Sequence, residues 1–428
     1  MVEKNNKLVV GLFWGDEGKA KIVDFLTPYA EVVVRYQGGA NAGHSVEVAG
    51  QRFVLHQVPT GILHPDKKCV LGAGMVIDLP QLVEELSELE SRGIEWRGRI
   101  MVSPRAHLVL PYHKLIEEIQ EAKRSIGTTR RGIGPAYRDK AARIGIRVGE
   151  VKLGKAHLIK KLGIWLKEVG ELYEKTAGVS FPSPESVANE LVSSAELLAD
   201  SITEASAYLY EVAKRGGILA EGAQGTMLSL NWGTYPFVTS SETTAGGASE
   251  GLGIDLRMFD SIIGVAKAFC TRVGNGPFPT EADEETQKLL RGTGENLYDE
   301  FGSTTGRPRR CGWFDSVILR YSTRINGVQE IALTKLDVLS GIEPLKVAVN
   351  YRDYGDELPV TAEEMETVEP IYEELPGWSM DISAVRKFEE LPENAKNYIR
   401  FLEKIAGVPI RYIGVGPGRD DIIVRGEK

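Results

Sequence analysis

Cysteine is scarce in this sequence. The three that occur in 428 residues, Cys69, Cys270 and Cys311, are odd in number and widely separated. That spacing excludes a disulfide framework and a zinc ligand set, and it suits a reducing compartment. Long apolar runs are missing too: no stretch approaches the ~18 residues of a membrane span, and the opening Met-Val-Glu-Lys-Asn-Asn-Lys lacks a signal-type apolar region. A cytoplasmic protein with no membrane partner is expected. There is no surplus of positive charge either. Lys and Arg number 51 against 60 Asp and Glu, for a net charge of −9. This argues against a nucleic-acid or general polyanion binder, so an anionic ligand must meet a local basic site. Apolar residues at 42% and charged residues at 26% are ordinary for a globular chain, which rules out disorder, collagen-like repeats and a coiled coil. What the sequence has in excess is glycine, 47 residues, or about 11% against a background of roughly 7%.

The glycines cluster at 11–18, 38–43, 72–74, 127–134, 222–233, 246–253, 274–276, 292–294, 302–312 and 414–418, and none occurs from Val179 to Arg215. Short β-branched runs precede several clusters, at 7–13, 31–36, 217–221, 261–268 and 329–335. Near-continuous apolar runs suit buried parallel strands. Helical patterns at 80–92, 112–123 and 394–406 fall between strands, while 155–175 and the glycine-free stretch from 185 to 208 carry apolar residues at three- and four-residue steps. The expected fold is α/β: a large central, mostly parallel sheet flanked by helices, one unit over 1–428 with a helical lobe at about 151–215. Ligands of such sheets gather beyond the carboxyl ends of strands, where these glycines lie.

Four segments carry chemistry. Gly15-Asp16-Glu17-Gly18-Lys19-Ala20-Lys21 follows the first strand and precedes a helix, the plan of a phosphate cradle built from backbone N–H groups and a lysine. Phe13 and Ala20 break the Walker A pattern, and Asp16 is the hard oxygen ligand available to Mg²⁺. An ordinary βα turn with a capping acid has the same residues. Arg35-Tyr-Gln-Gly-Gly-Ala-Asn-Ala-Gly-His44-Ser45 places one histidine among small residues. Alone it is a surface histidine; beside Asp16 it makes an acid–base pair. The other five histidines have no such company. Thr334-Lys335-Leu336-Asp337 looks like the guanine-reading Asn-Lys-x-Asp element of GTP-binding proteins with Thr for Asn, although a strand followed by a surface turn also fits. In Phe301-Gly-Ser303-Thr304-Thr305-Gly306-Arg307-Pro308-Arg309-Arg310-Cys311, three arginines within four residues offer fork-shaped donors to carboxylates or phosphates. Cys311 has no evident base beside it and reads as filler. Loops at 127–143 and 221–241 have similar composition, and Gln224 there can tell donor from acceptor on a purine edge.

Together these segments resemble the adenylosuccinate synthetase family, GTP-dependent ligases that join L-aspartate to IMP. The resemblance runs from Trp14 to Pro417 and is most specific at 132–143, 221–226, 233–241, 271–281 and 333–339. It implies a P-loop NTPase-like fold and one Mg²⁺ per subunit, held by Asp16 and the carbonyl of Gly43. Asp16 is implied as the base that takes the N1 proton of IMP, so that O6 attacks the γ-phosphate; His44 is its acid partner, and Gln224 is a third catalytic residue. GTP would lie on Gly15, Asp16, Glu17, Gly18, Lys19, Ala20, Lys21, Gly43, His44, Ser45, Arg309, Lys335, Leu336, Asp337, Gly414, Val415 and Gly416. IMP would meet Asp16, Lys19, Asn41, Ala42, Gly43, His44, Thr129, Gln224, Thr239 and Arg307, with Arg143 reaching the neighbouring site of a homodimer. Aspartate would lie on Ser303, Thr304, Thr305, Gly306, Arg307 and Arg309. The chain departs from the family pattern at Phe13, Ala20, Ala40, Arg130, Trp232, Pro308 and Gly414. Two further readings follow: the same chemistry on another 6-oxopurine nucleotide such as dGMP, and a catalytically silent GTP-binding relative.

Overall fold

A computed structural model describes residues 5–426 other than 49, 125, 297, 302–305 and 307. Nine apolar segments pair into one sheet. In chain order they are β1 Lys7–Gly11, β2 Val32–Arg35, β3 Lys68–Leu71, β4 Ile100–Val102, β5 Ile218–Glu221, β6 Ser261–Lys267, β7 Glu330–Thr334, β8 Ile410–Gly414 and β9 Ile422–Val424. Their spatial order is β9-β8-β7-β6-β1-β5-β2-β3-β4, parallel throughout except for the edge pair β8/β9.

Both faces of the sheet are buried, which is why its strands read as unbroken apolar runs. One set of side chains, Val9, Val33, Leu219, Ile263 and Val265, packs on Ile22, Val23 and Leu26 of helix α1, Lys19–Leu26. The alternate set, Leu8, Val10, Val32, Val34, Ile218 and Ala220, joins the larger core on the other side. The expected strands and the helices at Leu79–Ser91, Pro111–Arg124 and Glu393–Ala406 match the sequence reading within a few residues. Among the described residues no helix is long and apolar enough to cross a membrane.

The glycine-free stretch folds as two helices, in keeping with its helical spacing. Pro184–Leu197 is capped by the Ser183 side chain, and Ser206–Ala213 resumes after a break. The two go to different places. Val187 and Leu191 pack with Leu158, Leu162 and Trp165 of Lys155–Trp165 and with Leu82 and Leu86, whereas Leu209 and Val212 lie in the core beneath the sheet. Trp165 is the centre of the first group: Tyr112 stacks on it at 4.7 Å, and its indole N–H donates to the buried Asp139 at 2.5 Å.

Since β1 is central, its parallel neighbours β6 and β5 diverge from it to opposite sides, and the loops leaving their carboxyl ends face one another across a crevice. Close packing at that end requires glycine. Gly74 and Gly251, the latter in the helix Gly246–Leu252, sit against the carbonyl oxygen of Tyr36 just beyond β2, where a Cβ on either would collide with that backbone oxygen. Helix propensity alone favours Ala over Gly by about 1 kcal/mol. Gly251→Ala should nonetheless lower the unfolding free energy by about 1–3 kcal/mol through overpacking, read from urea denaturation midpoints; an unchanged or raised midpoint would refute the close-approach account.

Candidate active site

The turn after β1 is shaped by one buried acid. Glu17 points inward, accepting the backbone N–H of Phe13 at 3.0 Å and of Gly15 at 2.8 Å, and Lys19 Nζ at 2.7 Å. Gly11 and Gly225 leave room for that carboxylate. With Glu17 fixed, Gly15, Asp16 and Gly18 take φ values of 88°, 59° and 87°, and Asp16 opens into the crevice. A non-glycine residue in the left-handed region is uncommon enough to mark a functional turn. Gly18 caps α1 without a side-chain bond, so the first-turn amides remain open to an anion.

The crevice encloses about 1030 Å³. Of the residues expected from sequence, Gly15, Asp16, Gly18, Lys19, Ala20, Lys21, Asn41, Ala42, Gly43, His44, Ser45, Thr129, Gln224, Thr239, Arg309, Lys335, Asp337 and Gly416 line it. Glu17, Leu336, Gly414, Val415 and Arg143 lie outside its lining. Leu336 and Val415 are core side chains, and Arg143 is exposed at the end of the helix Ile133–Ala142 with φ 63°. Gly306 is exposed, whereas Ser303, Thr304, Thr305 and Arg307 fall outside the described residues. Five more departures from the family pattern are also off the lining, of which Arg130 and Pro308 are exposed. Phe13 packs edge-on to Phe314 in the core, Ala40 is buried, and Trp232 is half exposed with its carbonyl bonded by Tyr321.

Asp16 and His44 share the cavity without touching each other; each has its own counter-group. Arg309 Nη2 lies 2.8 Å from Asp16. Burial pushes the Asp16 carboxyl up, but Arg309 and Lys267 outweigh it and hold the group below the usual carboxylate range. His44 opens the strand His44–Val48, and its Nδ1 is 2.5 Å from Glu221 at the end of β5. Burial lowers the His44 pKa despite the opposing pull of Glu221.

A second buried acid organises the opposite wall. Glu300 accepts Lys267 Nζ and Arg309 Nη1, both at 2.7 Å, and also Lys335 Nζ. These cations hold the Glu300 carboxyl far below its ordinary range despite burial, while burial brings Lys267 down to about 8. Thr334 Oγ1 donates to the Glu17 carbonyl at 2.6 Å, tying β7 to the phosphate turn. Asp337 Oδ1 and Gln224 Oε1 are buried acceptors without a hydrogen-bond partner among the described residues, and burial raises the Asp337 pKa. Buried acceptors in this condition are what a purine donor edge would satisfy. Lys21 braces the turn at 416–421 through the carbonyls of Gly416 and Asp421, and burial lowers its pKa to about 8.

Glu221, Glu300 and Lys267 escaped the sequence reading. A lysine ending the apolar run Ser261–Lys267 was a usable signal. Glu221, ending the apolar run Ile218–Glu221, carried the same signal, whereas nothing distinguishes Glu300 from a surface loop residue.

Residues 8–423 match the family model described as adenylosuccinate synthetase. The adenylosuccinate synthetase of Carboxydothermus hydrogenoformans is 51% identical over 424 residues, covering 97% of this chain and 98% of that protein. That of Desulforudis audaxviator is 48% identical, covering 97% of each. The fully ligated adenylosuccinate synthetase of Plasmodium falciparum superposes with a TM-score of 0.92 at 41% identity, over 99% of this chain and 100% of that one. The cyanophage S-2L succinoaminodeoxyadenylate synthetase, bound to dGMP and dATP, shares the fold at a TM-score of 0.64 with 20% identity over 99% and 96%. With a family match over nearly its whole length and relatives near half identity, this chain belongs to the adenylosuccinate synthetase family of ligases.

Proposed function

We propose that this chain joins L-aspartate to IMP with GTP as co-substrate, through 6-phosphoryl-IMP, giving adenylosuccinate, GDP and phosphate. The observation that carries the reading is the position of Asp16. Its ionised carboxylate stands in one cavity with the open amides of α1 and the unpartnered acceptors of Gln224 and Asp337. In this scheme Asp16 removes the N1 proton of IMP, O6 forms a bond to the γ-phosphorus, and the β–γ bridging oxygen leaves with GDP. His44 is the acid partner at the phosphate, giving its proton from Nε2 while Nδ1 keeps its own. The aspartate amine then attacks C6 and inorganic phosphate departs with O6. Asp337 accepts from the guanine edge, and Lys335 and Arg309 turn from Glu300 toward GTP.

Mg²⁺ suits the donors present. Among the described residues no three His, Cys, Asp or Glu side chains cluster into a cage, and Mg²⁺ characteristically takes one or two protein oxygens plus waters and phosphates. The Asp16 carboxylate and the Gly43 carbonyl, both on the cavity wall, would hold it. Bound there, it would neutralise phosphate charge. Aspartate binds at 303–309, and the exposed Arg143 completes the neighbouring site of a cytoplasmic homodimer.

Identity near 50% to the curated relatives, against 20% to the phage enzyme, favours IMP over dGMP as acceptor. Purified protein given GTP, Mg²⁺ and aspartate should release phosphate and form succinyl-purine with IMP, and not with dGMP or GMP. No turnover with any nucleotide despite GTP binding would end the ligase reading. Asp16→Asn should cut turnover by about 10²–10⁴, the usual share of a general base, with GTP affinity still measurable by calorimetry; an active variant would remove Asp16 as the base. Arg143→Leu should raise KM for IMP roughly ten- to a hundredfold, the worth of a charge-assisted contact. Mixing it with Asp16→Asn should restore activity through mixed dimers, whereas absence of complementation would confine Arg143 to its own subunit.

A further inference from the structure

The His44 ring nitrogens face different surroundings. Nδ1 meets Glu221, which is fully buried, while Nε2 has no partner among the described residues and the ring borders the cavity. Glu221 is itself locked. Its Oε2 accepts the backbone N–H of Thr60 at 2.8 Å, and its Oε1 accepts the Thr60 hydroxyl at 2.7 Å as well as His44 Nδ1. The Thr60–Leu63 turn that supplies those donors is seated on β2, because Gly61 lets it press against Val33 where a Cβ would collide. Arg35, wholly buried at the end of β2, adds a fixed positive charge nearby while its guanidinium donates to the carbonyls of His56 and Gly39.

We infer that Glu221 is a positioning residue for His44: it holds the imidazole with the proton on Nδ1 and so presents Nε2 to the phosphoryl group. The inference rests on His44 acting at the phosphate, as proposed above. An ionised carboxylate only accepts, and two of its contacts here are donors from Thr60, so the third contact must also donate. His44 therefore carries hydrogen on Nδ1 whether neutral or cationic, and only Nε2 is free to receive or give a proton at the cavity. The same arrangement of a buried acid behind a working imidazole recurs on unrelated folds. Its components come from four parts of this chain: β5, the turn Thr60–Leu63, the strand His44–Val48, which pairs with Gln51–Leu55 in a small hairpin, and the end of β2. A role confined to holding the hairpin would not require an acceptor-only group at this point.

Glu221→Gln replaces an oxygen acceptor by an amide of the same shape. With the Thr60 backbone N–H on the amide oxygen in the place of Oε2, the NH₂ takes the place of Oε1 and faces Nδ1, the Thr60 hydroxyl turning to accept; Nδ1 must then accept too, and the proton moves to Nε2. The expected result is a fall in kcat of about 10²–10⁴, with KM for GTP and IMP nearly unchanged. In ¹⁵N-histidine spectra the His44 signals, assigned by their loss in His44→Gln, should show protonated Nδ1 in the wild type and protonated Nε2 in the variant. A wild-type spectrum with hydrogen on Nε2 and not Nδ1 overturns the inference, whether or not the variant folds. So does a folded Glu221→Gln that keeps wild-type kcat, or one whose loss lies wholly in KM. His44→Gln separates the two levels: if it retains full turnover, the phosphate role of His44 fails; if it is inactive while Glu221→Gln is active, only the positioning role fails.

Discussion

The inward-facing carboxylate of Glu17 is the interaction on which the rest of the site depends. It satisfies two backbone N–H groups of the turn after β1 and the ammonium of Lys19, and its own carbonyl receives Thr334. A turn with three left-handed residues among four would not hold its shape on local preference alone, because such conformations cost energy and persist only when their surroundings over-determine them. Here a buried anion supplies the determination. Asp16 is then aimed into the cavity, where Arg309 meets it.

The electrostatics follow a related logic on the opposite wall. Glu300 draws Lys267, Lys335 and Arg309 together, and Arg309 also reaches Asp16. Three cations face two carboxylates, which leaves a local excess of positive charge inside a chain whose net charge is −9. Desolvating such a cluster is costly, and it is tolerated only when each charge has close partners. The cations among them are also what anionic ligands can compete for, so the cluster defines where phosphate and carboxylate groups are attracted.

Much of this was legible in the sequence because the signals were local. An apolar run followed by a glycine loop located β1, β2, β5, β6 and β7 and the loops at their ends. The loop residues Asp16, His44, Gln224, Lys335 and Asp337 were therefore found before any geometry was known, and all line one cavity. What stayed hidden was long-range. Glu221 lies 177 positions from His44 and pairs with it only once β5 lies beside β2. Glu17 looked like a ligand residue by its place in the motif, yet it points into the fold, since a side chain's direction in a tight turn depends on φ values that composition does not state. The destinations of the two helices at Pro184–Leu197 and Ser206–Ala213 were likewise hidden, because the same apolar spacing runs through both although they serve different cores.

Thr334 has a consequence beyond joining two loops. Its hydroxyl is bonded to the Glu17 carbonyl, and its methyl lies 3.3 Å from where a Cβ on Gly18 would stand. The element at 335–337 and the turn at 15–18 are thus set at one spacing and cannot slide apart independently. Under the proposed function the cleft would gauge GTP end to end: a base seated at Asp337 would fix how far along its phosphate chain Asp16 and the first turn of α1 could act.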